Sequence, residues 1–182
     1  VDAPADYLTA IEQLRTIAPT RPNDLQAWEL LAFHEAELRN YAAAARAQAQ
    51  VIEIKGDATE IEDRRFLLDM MVTAAGGFVS PEAEALLKGI LALDEENIPA
   101  RYYLGALYDQ TDRPDIAYRL WRGIVETGDP EVFYVAAARA QIEDAAFRAG
   151  VNYTLPPLRG PSAADVENAQ DMTPEERQAM IG

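Results

Sequence analysis

With 182 residues, 49% apolar content and a formal net charge of −15, the chain is long enough for one domain with a sizeable core. The acidic balance argues against a nucleic-acid partner, because phosphate binding draws on Lys and Arg, and it favours basic partners instead. Cysteine is absent, which removes disulfides, cysteine metal sites and thiol catalysis together.

No apolar run approaches the ~18 residues of a membrane span, and no signal-peptide pattern opens the chain. The first residue is Val1 rather than Met, so the sequence reads as a piece of a longer protein, and any membrane attachment is expected outside it. The pattern is helical nearly throughout, and strand-like alternation is nearly missing. Breaks fall near residues 19–23, 39–40, 56–58, 76–80, 94–97, 111–114 and 128–129. Helix starts are expected at Thr59 with Glu62 three on, at Ser80 before Pro81, at Asp129 before Pro130, at Ser162, and at Thr173 before Pro174. Gly76-Gly77 suits a helix C-terminus. The expected organisation is a helical repeat domain over 1–149, a Pro/Gly-rich extended linker over 150–161, and a short helical extension over 162–182.

Helices of this length joined by tight turns call for a test of self-similarity. Leu104, Gly105, Tyr108, Ala117 and Trp121 fall, 34 residues earlier, on Met70, Met71, Ala74, Ala83 and Leu87. A further 39 residues back lie Leu31, Ala32, Glu35, Ala44 and Gln48, with Trp28 just before. One more step reaches only a second helix, with Ala10, Leu14 and Ile17. A small residue in the second helix recurs at Ala10, Ala44, Ala83 and Ala117. The five extra residues of the longer interval sit around Lys55–Glu60, between helices, where insertion costs little. Gly105 costs about 1 kcal/mol of helix propensity against Ala, so a glycine there needs a packing reason.

This spacing resembles the tetratricopeptide (TPR) repeat, a 34-residue helix–turn–helix unit. Trp28-x2-Leu31-Ala32 and Leu104-Gly105-x2-Tyr108 carry the likeness over roughly residues 5–149. The expected fold is therefore all-α: a TPR-type superhelix of about three units plus a capping helix, with a C-terminal extension. Glu35 and Gln48 depart from the pattern, standing where apolar residues are expected.

The parts of an active site do not assemble in the sequence. His34 is the single histidine and lacks partners for a metal, so it reads as a surface or groove residue. Asp94-Glu95-Glu96 reads as a solvated turn, and Ser80 and Ser162 read as caps. No catalytic residue, metal or cofactor is expected. A TPR array offers instead a concave face lined by the first helix of each unit. The TPR frame places Gln26, Glu29, Phe33 and Glu37 there in the first unit, and Arg65, Leu68 and Val72 in the second. The third contributes Tyr102, Asp109 and Gln110, and the helix that follows adds Phe133 and Glu143. Apolar patches flanked by carboxylates suit an amphipathic helix with a basic edge. The clamp by which some TPR domains hold a chaperone's terminal carboxylate is not expected, because Glu29, Phe33 and Asp69 stand at its positions.

The tail is more specific. GPSAADV (160–166) and TPEERQAMI (173–181), together with RPNDLQAWELLAFHEAELRNYAAA (21–44) and ILALDEENIPARYYLGALYDQTDRPDIAYRLW (90–121), resemble the C-terminal region of the CcmI/CycH family of c-type cytochrome biogenesis proteins. The resemblance implies a periplasmic TPR domain of a protein held in the inner membrane by N-terminal helices. It implies a non-catalytic chaperone that captures haem-free c-type apocytochromes, chiefly by their C-terminal helix, and presents them to the haem-ligation partners CcmF and CcmH. The rival reading is a generic TPR scaffold or adaptor for envelope protein assembly.

Overall fold

The computed structural model describes residues 4–158, and among them every regular element is helical. Eight α-helices follow in chain order: α1 (Ala5–Ile17), α2 (Leu25–Glu37), α3 (Tyr41–Lys55), α4 (Ile61–Ala74), α5 (Pro81–Leu93), α6 (Ile98–Gln110), α7 (Pro114–Thr127) and α8 (Phe133–Arg148). Three-residue 3-10 turns follow α1 and α3. Successive helices pack on one another as antiparallel neighbours. The result is three TPR-type pairs, α2/α3, α4/α5 and α6/α7, preceded by α1 and closed by α8. The expected breaks all fall between helices, and the helical extension expected over 162–182 lies outside the described residues.

Helix starts follow ordinary capping chemistry. Asp24, Ser80 and Asn97 each accept a backbone N–H three residues on, from Ala27, Ala83 and Ala100, at 3.2 Å. Two starts differ from the sequence expectation. At α4 the cap is Glu60 with Asp63, whose carboxylate accepts the Glu60 N–H at 3.0 Å; Thr59 instead donates to the carbonyls of Gly56 and Ile52. Asp129 caps a turn through Glu131 N–H at 2.9 Å, and α8 begins at Phe133.

The first helix of every pair, and α8, ends alike. Arg39, Gly76, Asp112 and Gly150 take positive φ of 61°, 65°, 59° and 71°. The next residue's N–H then reaches back to Glu35, Val72, Tyr108 or Ala146 at 2.8–2.9 Å. This is the left-handed closure that satisfies otherwise orphaned helix-end carbonyls. Two of the four use no glycine, so the turn is a property of the repeat rather than of one residue type.

The core is segmented as a solenoid requires. Leu31, Ala32 and Ala47 fill the first junction, Leu68, Leu87 and Ile90 the second, and Trp121, Ile124, Val135 and Ile142 the third. Ala44, Ala83 and Ala117 are buried, as the small-residue rule predicts; Ala10 is exposed, no helix among the described residues covering that face of α1. At Gly105 the closeness is extreme. A Cβ there would sit 2.3 Å from Trp121 Nε1, an impossible approach. Trp121 is fully buried and donates its indole N–H to the Tyr102 carbonyl at 3.1 Å. Glycine is thus the slot into which the next helix inserts its largest side chain.

Glu35 and Gln48 are buried as well, and both find polar partners. Glu35 accepts from Arg15 Nε and Nη2 at 2.5 and 2.8 Å and from Asn40 Nδ2 at 2.8 Å, tying α1 to the end of α2. Gln48 donates to the Asp63 carbonyl at 3.1 Å. Lys55 bridges Asp63 at 2.8 Å and Glu29 at 3.2 Å. These bonds make the α2–α3–α4 junction a polar seam.

Residues 151–158, expected as an extended linker, are extended but seated on the last repeat. Tyr153 meets Tyr118 edge to face at 5.4 Å. Leu155 N–H donates to Glu143 at 3.0 Å, and Arg139 donates to the Pro156 carbonyl at 2.6 Å. Tyr153 and Leu155 cover the apolar face of α7 and α8, the polar-outside cover that a terminal repeat needs.

Two outcomes follow. Gly105→Ala removes about 1 kcal/mol of helix-propensity cost, yet overpacks Trp121 by about 1–3 kcal/mol. Urea unfolding will show a lower midpoint; a raised one contradicts the close crossing. Hydrogen bonds from Arg15, reinforced by Asn40, hold the Glu35 carboxyl below its ordinary value of 4.5 despite burial. A depressed carboxyl stabilises the fold above its unfolded value and loses that contribution as pH falls through the folded one. Glu35→Ala will therefore cost about 1–3 kcal/mol at neutral pH, because Asn40 and one edge of the Arg15 guanidinium lose their acceptor while Arg15 keeps Glu12 at 2.7 Å. The gap to the unsubstituted protein will narrow as pH falls below 4.5.

Candidate peptide-binding surface

The α2 helix is two-faced. Leu31, Ala32 and Glu35 are buried, while Gln26, Glu29, Leu30, Phe33 and Glu37 are exposed. At 100° per residue the exposed set forms one stripe opposite the buried one. Phe33 is 56% exposed and Leu30 42%, an apolar pair three residues apart with carboxylates on either side. Glu29 is partly neutralised by Lys55, itself held by Asp63, whereas Glu37 makes no ion pair among the described residues. His34 lies half-buried behind Phe33, with its ring edge-on at 5.2 Å and Nδ1 hydrogen-bonded to Tyr7 Oη at 2.9 Å. It orients the stripe and meets no metal partners: among the described residues no group of three or more His, Cys, Asp or Glu could hold an ion.

Further along the array the structure redistributes the expected groove. Leu68 and Val72 are 0% and 3% exposed and belong to the second core junction, so they present nothing to a ligand. Arg65 is committed to Glu62 at 2.7 Å and Asp69 at 2.9 Å. Gln110 accepts from Val79 N–H at 3.0 Å and donates to its carbonyl at 2.8 Å, fixing the entry to α5. Asp109 pairs with Arg148 of α8, and Glu143 holds the Leu155 N–H. Tyr102 stacks on Trp121 at 6.2 Å and accepts from Gln141 at 2.8 Å. Phe133 remains 69% exposed at the start of α8, edge-on to Tyr134. The positions left open are thus Gln26, Glu29, Phe33 and Glu37 on α2, and Phe133 on α8.

The cluster that closes the inner face went unseen in the sequence. Tyr134 of α8 donates to Asp69 of α4 at 2.7 Å and stands against the rings of Tyr102 and Tyr103 at 5.9 and 5.8 Å. Burial raises the Asp69 carboxyl above its ordinary value, although Tyr134, Tyr103 and Arg65 all oppose this. Burial, then the Asp69 charge, also push the Tyr134 and Tyr103 hydroxyls up, so they stay protonated donors. This clasp joins α4 to α8 through residues 65 positions apart in sequence.

Comparison with known proteins agrees with this architecture. No family model matches the chain. It is 29% identical over 160 residues to the cytochrome c-type biogenesis protein CycH of Bradyrhizobium diazoefficiens, covering 88% of this chain and 41% of that protein. The chain therefore spans less than half the length of that relative. The crystal structure of MamA superposes with a TM-score of 0.59 at 18% identity, over 80% of this chain and 75% of that one, and MamA is a TPR-type helical repeat. Fold and sequence together make the chain a TPR-type repeat domain homologous to the cytochrome c-type biogenesis protein CycH.

Proposed function

We propose that this domain is a periplasmic chaperone module that captures haem-free c-type apocytochromes by their C-terminal helix and presents them to the haem-ligation partners CcmF and CcmH. The observation that carries this reading is the open α2 stripe on a chain related to CycH: Leu30 and Phe33 exposed between Glu29 and Glu37. An amphipathic helix lays apolar side chains spaced i, i+3/i+4 and i+7 along such a stripe. Basic residues at its edges then meet Glu29 and Glu37, and the chain's net charge of −15 steers a basic segment toward it. Binding of this kind involves no bond making, and no cofactor is called upon.

Titration with a fluorescent peptide copying the C-terminal helix of a c-type apocytochrome tests the proposal, with the haem-bound cytochrome as control. The peptide will bind and the folded control will not. Phe33→Ala will weaken binding by about tenfold or more, as loss of a buried aromatic anchor does. Glu37→Lys will weaken it about two- to fivefold at low salt and less at high salt. Absence of peptide binding by the folded domain overturns the client assignment and leaves a TPR adaptor for another envelope protein.

A further inference from the structure

Ten of the fourteen described Lys and Arg residues are neutralised. Both lysines, and all described arginines except Arg39, Arg46, Arg64 and Arg139, lie within ion-pair distance of a carboxylate. Arg139 is spent on the Pro156 carbonyl. Arg39 and Arg46 share the walls of one open hollow of about 420 Å3, between the α2–α3 turn and the end of α4. No acidic side chain lines that hollow; Asn40, Tyr41, Thr73 and the methyl groups of Ala42, Ala43 and Ala74 complete it. Arg46 also borders the adjoining hollow of about 520 Å3 that holds the Arg15–Glu35 pair. Glu35, which also feels the Arg46 charge, has both oxygens hydrogen-bonded by Arg15 and Asn40.

We propose that this hollow is a carboxylate-binding pocket for a short acidic segment of a partner protein, separate from the α2 stripe and independent of its client. Two arginines lining one concavity suit planar carboxylates, which guanidinium groups bind by paired N–H donors. The small apolar walls accommodate side-chain stems beside the charged heads. The chain's overall charge selects the kind of anion. Beyond a Debye length of about 8 Å the pocket's two charges are screened, so a short segment feels the arginines. A polyanion such as nucleic acid or an anionic membrane meets the surrounding acidic surface. The domain therefore carries an acidic stripe for a basic helix and a basic pocket for an acidic segment, which allows two proteins to be held at once.

The test uses the whole 182-residue chain and a short labelled peptide of alternating Glu and Ala, with its Gln/Ala counterpart as control. The acidic peptide will bind and the neutral one will not. Arg39→Asn, chosen because Asn tolerates positive φ, and Arg46→Gln will each weaken binding about tenfold or more, as loss of a charged hydrogen-bond donor does. Thermal melting will confirm that both variants fold. Phe33→Ala will leave this binding unchanged, which separates the pocket from the client stripe. Equal binding by the variants, no binding of the acidic peptide, or binding of inorganic phosphate alone would overturn the proposal.

Discussion

The structure depends on how closely consecutive helices cross. Where α6 meets α7, the Trp121 indole occupies the space that any side chain on residue 105 would need. Its N–H is satisfied by the Tyr102 carbonyl. That single insertion fixes the axis of α7, and through Ile124 and Val125 it fixes α8, whose buried face shares the same cluster. The position of α8 then places Tyr134 against Asp69 on α4. A helical repeat transmits shape mainly between neighbouring units, and the Tyr134–Asp69 bond adds a contact that skips one pair. Curvature is a sum of such crossings.

Against that apolar rule, the first junction is polar. Glu35 stands where the repeat pattern places an apolar residue, and its burial is tolerable because Arg15 and Asn40 satisfy both oxygens. Such a pair adds little net stability over a well-packed hydrophobic alternative, but it ties α1 to the α2–α3 corner in one arrangement. The exposed side of α2 is thereby held rigid beneath Phe33 and His34. On the proposed function, an ordered face of this kind would lose little entropy on binding a helix.

Much of the fold was legible in the sequence because it rests on spacing. The breaks, the small residues at Ala44, Ala83 and Ala117, and the glycine opposite Trp121 all follow from periodicity and local propensity. The exposure of the candidate face was legible only where one helix decides it. On α2 the frame separates exposed from buried residues correctly. On α4 the same frame put Leu68 and Val72 in the groove, whereas both turn into the second core junction. Asp109 and Gln110 were expected as open because their partners, Arg148 and Val79, lie on other elements 39 and 31 residues away. Arg65, by contrast, pairs with Glu62 and Asp69 at i−3 and i+4 on its own helix, a pairing that spacing does show. Sequence spacing on one helix does not reveal which polar groups another element will occupy. The Tyr134–Asp69 clasp and the seating of Tyr153 on Tyr118 fail for the same reason.

We propose that recognition falls on the exposed side of α2 rather than on α5 and α7. Amide chemical-shift mapping by NMR, with the apocytochrome helix peptide added stepwise, tests it most directly. Shifts concentrated on Gln26, Glu29, Leu30, Phe33 and Glu37, with those of Leu68 and Val72 unmoved, are the predicted result. Shifts confined to the outer face of α5 and α7, with α2 silent, would contradict it.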